Sequence, residues 1–273
     1  MMSFLVVVGV VLLAAGLRTF ESALLRKLGA VAILVASYLA AWFATGSHAA
    51  GVAGVFVWFL LPWIELLTRV RKLRLPLRKS LKPQAPPSSQ RFPHLSEFTE
   101  EIEEAGFDYV SDAGWEWDGL KQFFRVFYHA ERRTQAVIGY NEQETLAFVY
   151  VAVTSRAGED RVYRTWNYPF SYTMRTSPNI RLNRVENAPT FEALLEEHAD
   201  FLHRLAIDPG DLLDENPESL LEQMERETAE QIAHNLNRGL LRIDPEDAGN
   251  FRYSWRGLFF LYRQLVIDMV RLS

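Results

Sequence analysis

The chain has 273 residues, a formal net charge of −5 and no cysteine. Without thiols it can form no disulfide, thiolate metal site, iron–sulfur cluster or cysteine nucleophile. The modest average charge conceals a partition into an apolar start, a basic middle and an acidic remainder.

The first 68 residues carry only Arg18, Glu21, Arg26, Lys27 and Glu65 as charges. Residues 69–91 carry eight Lys or Arg and no acid. Residues 92–273 hold 32 Asp+Glu against 18 Lys+Arg, a net of −14. So acidic a region argues against nucleic-acid binding, which needs cations to neutralise phosphates.

Three apolar stretches, 2–17, 28–45 and 51–67, open the chain. About 20 apolar residues cross a hydrocarbon core as a helix, so the second and third reach that length with their flanks and the first is marginal. The first has no basic residue before it, unlike a signal peptide. Arg18, Arg26 and Lys27 lie between stretches one and two; Arg69, Arg71, Lys72, Arg74, Arg78, Lys79 and Lys82 follow stretch three. Both clusters are cytoplasmic at once if the N-terminus is outside and the C-terminal region inside, which predicts a multi-pass protein of the inner (plasma) membrane. The second cluster is also expected to rest on the lipid bilayer surface. Ser37 and Ala41 offer a small face for helix packing. Glu65 is the one acid inside stretch three; it marks an intramembrane polar site or pairs with Arg69 one turn on.

Pro76, Pro83, Pro86, Pro87 and Pro93 predict an extended, semi-rigid spacer. A helix is expected from a Ser96 cap to Gly106, with Phe98, Ile102 and Ala105 inward. Strands are expected at 107–110, 122–128, 135–140, 146–154, 162–166 and 180–185, where Val, Phe, Tyr and Thr concentrate. Short connections make these an antiparallel meander. Two helices follow, one from 191 to about 206 capped by Thr190, the other from Asn216 and Pro217 to Gly239. From Tyr253 an aromatic helix bears Arg256, Arg263, Asp268 and Arg271, and it packs in the domain core or lies against the membrane region.

The expected architecture is therefore membrane-anchored α+β. Its parts are an N-terminal bundle of three transmembrane helices (1–69), a basic proline-rich linker (70–93), a cytoplasmic acidic α+β domain (94–252) and a C-terminal amphipathic helix (253–273). The meander would carry its helices on one face.

Chemical signals are sparse. Glu196, Asp200 and His203 share a helical face, but no second ligand pair matches them, so no metal and no cofactor is expected. No HExxH, GxSxG, Walker loop or GxGxxG is present. Trp115-Glu116-Trp117 and the run from Trp166 to Tyr172 are dense in aromatics, which fill a core or line a groove. Arg161, Arg164, Arg175, Arg181 and Arg184 interleave with the second run. If they share a face, Arg164, Trp166, Tyr168, Arg181 and Arg184 would bind an anionic ligand or acidic partner; otherwise the arginines pair with the domain's own acids. The functional expectation is a membrane-tethered binding, sensor or scaffold module with a protein partner or a homo-oligomeric state. The alternatives are a subunit of an oligomeric channel or transporter and, third, a membrane-bound enzyme.

Overall fold

The computed structural model describes every residue except 1, 21, 144, 145, 159, 187 and 273, and the side chains of 23, 270 and 272 are likewise left aside. The chain opens with three helices, α1 (Met2–Arg18), α2 (Ala23–Thr45) and α3 (His48–Thr68). Two of them are long and apolar enough to cross a bilayer, each with a mean hydropathy of 1.9. The first is apolar but shorter, at 17 residues. Helix α2 packs against both α1 and α3. The small face of α2 is used within the chain: the Trp58 indole N–H donates to Ser37 Oγ at 2.8 Å, and Ser37 and Ala41 abut Gly54.

The remaining chain is α+β. A seven-stranded sheet runs in the order β2-β3-β4-β5-β6-β7-β8, and a three-stranded sheet in the order β1-β10-β9. The large sheet comprises β2 (Lys82–Pro83), β3 (Asp108–Trp117), β4 (Leu120–His129), β5 (Thr134–Gln143), β6 (Leu146–Ala157), β7 (Arg161–Trp166) and β8 (Ile180–Arg184). The small one comprises β1 (Leu75–Pro76), β9 (Leu241–Ile243) and β10 (Asn250–Tyr253). Helices α4 (Leu95–Glu104), α5 (Phe191–Arg204), α6 (Leu220–Asn237) and α7 (Trp255–Leu272) complete the fold.

Each of the six expected strands of the meander has its counterpart, with two differences. The last pair, β7 and β8, is parallel, because residues 167–179 cross back before the chain re-enters the sheet. Strand β3 also continues well past 110, through Ser-Asp-Ala-Gly, a stretch that reads locally as a turn. Across the ladder Arg125 grips Asp112 with two 2.8 Å hydrogen bonds, and a Cβ on Gly114 would overlap the Gln84 side chain. The real turn is Asp118-Gly119, both at positive φ, which suits a two-residue hairpin.

The helices do not share one face. Both faces of the central strands are apolar, so each needs a cover. Phe123, Phe127, Ile138, Val151 and Val153 meet Leu95 and Ile102 of α4 and Phe191, Leu194 and Leu195 of α5. On the opposite face Phe124, Val126 and Val137 meet Leu220, Leu221 and Met224 of α6. Helix α4 begins at Leu95, with His94 rather than Ser96 at its cap and no side-chain capping bond. Thr190 does cap α5, accepting from the Ala193 N–H at 3.2 Å. Asn216 caps a short 3-10 turn over Pro217–Ser219 that leads into α6.

The expected spacer is built into both sheets. Leu75 pairs with Phe251, Lys82 with Gly114 and Pro83 with Ala113, and the Leu77 N–H donates to the Gly249 carbonyl at 2.9 Å. Leu75, Leu77 and Leu81 alternate with the cations and turn inward, so burying this apolar side favours docking over a solvated tether. The C-terminal helix joins the two regions. Its Phe259 and Tyr262 rings lie 5.0 Å from the Trp63 ring of α3, and Leu66 of α3 is buried with Phe251, Leu258 and Leu261.

Candidate functional site

The face of the large sheet beneath α6 is filled only in part. Two adjoining cavities, of about 170 and 340 Å³, run between this face, α6 and the small sheet, and Lys79, Gln122 and Thr228 line both. The larger is at the lower end of the range of small-molecule sites, roughly 300–1,000 Å³. The α6 stripe of Met224, Thr228 and Ile232 roofs the cleft. Even-numbered residues of β6 and β7 floor it, because side chains alternate along a strand.

The inner cavity ends in a buried ion network. Glu227 accepts from Arg156 at 2.6 and 2.8 Å and from Arg164 at 2.6 Å. Arg156 also donates to Glu215 at 2.7 Å and to Gln135 at 3.0 Å. Burial alone would raise the Glu227 carboxyl, but Arg164 and Arg156 outweigh it and hold the group below its ordinary range. The outer cavity is aromatic, with Trp115, Phe148, Tyr168, Phe251 and Tyr253 in its wall.

Lys79 stands where the cavities meet. Its ammonium is enclosed between the Trp115 and Phe124 rings, 4.9 and 5.0 Å from their centroids, and donates to Gln122 Oε1. Gln122 in turn donates to Asn141 Oδ1 at 2.5 Å. Among the described residues no carboxylate lies within ion-pair distance of Lys79. Desolvation lowers its pKa to about 7.

The other sequence-derived candidates divide. Trp166 and Tyr168 do wall the cleft, stacked at 4.9 Å, and the indole N–H of Trp166 is buried without a hydrogen-bond partner. Arg164 faces the cleft but is committed to Glu227 and Thr154. Arg184 donates to the Phe170 carbonyl at 2.9 Å. Arg181 is exposed on the opposite face, since it is an odd number of residues from Arg184 on the same strand. The arginines therefore do not form one patch. The aromatic loop is held by α7 instead: Asp268 accepts from the Ser171 N–H at 2.9 Å and from its hydroxyl at 2.7 Å.

The basic cluster also divides. Arg69 pairs with Glu65 at 3.2 Å, and Arg74 pairs with Asp244. Arg71 lies 4.8 Å over the Trp255 ring. Arg71, Lys72, Arg78 and Lys82 remain exposed, whereas Lys79 has left the surface for the cleft. Nothing local distinguishes Lys79 from its basic neighbours, so its place in the cleft was not legible in the sequence.

Glu196, Asp200 and His203 are all exposed on α5, and among the described residues no three His, Asp or Glu gather as a metal site. His198 faces the other way. It is buried between Ser155 and Thr165, at 3.0 and 2.9 Å, and burial lowers its pKa to about 4, which keeps it neutral in the core.

Together the fold and cleft define an α+β protein that joins a lysine-bearing cavity to an apolar helical N-terminal region. Comparison with family models, curated proteins and solved structures finds no match.

Proposed function

We propose that this chain is a membrane-tethered binding module whose site is the cleft between the large sheet and α6. The observation that carries this reading is the pair of adjoining cavities, which combine aromatic walls with a few convergent polar groups. The cleft also lies close in sequence to the apolar helices: Leu73 and Leu75 of its wall follow α3 within a few residues. If Thr228→Trp, which plugs both cavities from α6, is purified beside the wild type in native-lipid nanodiscs, mass spectrometry is expected to find a small molecule with the wild type alone. Equal small-molecule content in the two would reject the cleft as the site.

The tether is α2 and α3, whose apolar windows are only 11% and 17% buried, unlike core helices of a soluble protein. Exposed Leu24, Val31, Phe56, Leu60 and Ile64 suit lipid. Exposed Trp255 and Phe259 on α7, beside Trp63, extend that apolar surface and would seat the domain against the bilayer. The basic residues on either side of α2 and α3 favour a cytoplasmic domain and an external N-terminus. A reporter fused after the C-terminus is expected to be active only in the cytoplasm; an external signal would reverse the orientation. Glu65, paired with Arg69 at the helix end, lends no support to a channel or transporter subunit.

A further inference from the structure

We propose that the cleft recognises a small organic acid, with its carboxylate on the Lys79 ammonium and a flat apolar body between the aromatic walls of the outer cavity. This deepens the reading of the cleft as a binding site and rests on it.

Lys79 is the centre of the inference. It is held at the junction of the two cavities by two aromatic faces and a single amide oxygen. Cation–π contact returns only part of the hydration that an ammonium loses on burial. A lysine kept there against that cost, with no carboxylate beside it, has an open place for an anion. The Lys79 ammonium sits against Trp115, which also belongs to the outer wall, so a charge bound there would place its attached body among Phe148, Tyr168 and Phe251. Rings of that kind favour a flat partner.

The charge of the ligand follows from the cations at hand. Arg164, the one guanidinium among the described residues that line the cavities, is occupied by Glu227 and Thr154. A single free ammonium matches a monoanion. A phosphate dianion would call for an arginine fork or a second cation.

The other charged or titratable groups facing the cleft are Asp118, Glu227 and Arg164 together with Tyr150, Tyr168 and Tyr253. Burial pushes all three tyrosines upward, Tyr168 and Tyr253 to about 12, so none of them ionises near neutral pH. Lys79 does, at about 7. Binding of an anion must therefore take up a proton above that pH.

The test uses the full chain in nanodiscs and calorimetric titration with naphthoate and with its neutral analogue naphthamide. Naphthoate is expected to bind roughly 20-fold more weakly at pH of about 8.5 than at about 6.5, while naphthamide changes little. Lys79→Met should abolish the preference for naphthoate and its pH dependence while still binding naphthamide. Naphthoate binding with an unchanged pH profile in Lys79→Met would overturn the inference and leave the cleft reading standing. If neither probe binds the wild type, or Thr228→Trp binds both normally, the cleft reading fails and the inference with it.

Discussion

Replacing Glu227 by Gln is expected to destabilise the domain by about 3–5 kcal/mol, the cost of leaving a buried charge without its partner. Glu227 is the shared acceptor for Arg156 and Arg164, and the Arg156 side chain is only 8% exposed. A glutamine keeps the shape but puts an amide N–H₂ where a carboxylate oxygen meets a guanidinium. Among the described residues, Arg156 retains Glu215 and Gln135 and Arg164 retains Thr154. The control is Arg91→Ala, which breaks an ion pair with Glu142 whose arginine is 57% exposed. Exposed pairs contribute about 1 kcal/mol or less. Thermal unfolding followed by tryptophan fluorescence should separate the two variants widely. Similar melting temperatures for them would show that the Arg156–Glu227–Arg164 network does not hold the domain.

Lys79→Met is expected to move stability the other way. The unfolded chain carries Lys79 at its ordinary pKa of 10.5, whereas the folded chain carries it at about 7. Between those values the unfolded state binds the extra proton, so this group makes stability rise with pH from about 7 to about 10.5. Below about 7 both states are protonated and the penalty is constant and full. Its size is on the order of 3–5 kcal/mol. Methionine fills the same volume between Trp115 and Phe124 without a charge, and sulfur packs well on aromatic edges. The variant should therefore unfold at higher temperature than the wild type at neutral pH, and the gap should close as pH approaches 10. A wild type as stable as Lys79→Met at pH 7 would mean that the ammonium is not enclosed. Gain of stability with loss of acid binding is the signature of a residue kept for function at a structural cost.

Local chemistry revealed much of the fold. The runs of Val, Phe, Tyr and Thr marked six strands, and caps at Thr190 and Asn216 marked helix starts, because these signals depend on neighbours a few residues away. The strand expected at 107–110 was cut short at Ser111 to Gly114 for the same reason. They are held in β3 by Arg125 of β4 and by Gln84, just past β2, whose N–H donates to the Asp112 carbonyl. The leucines at 75, 77 and 81 were obscured by the prolines and cations around them, so a docked segment read as a spacer.

The candidate site was legible only in part. Trp115, Trp166 and Tyr168 stood out by aromatic density and do wall the cleft. The arginines among them did not share a face, since one residue of offset turns a side chain through the sheet. Arg164 became structural when α6 brought Glu227 to it, 63 residues along the chain.

By itself, then, the sequence determined the order apolar, basic, acidic, the two helices of membrane length and the strand-rich domain. Each follows from composition or short-range periodicity. Only the tertiary structure decided that the linker joins both sheets, that α7 packs on α3, and that one lysine among seven clustered cations turns into the cleft. Lys79 meets Gln122 across 43 residues, and Arg156 meets Glu227 across 71. The fate of a charge depends on what covers it, and here the covering groups come from distant strands and helices.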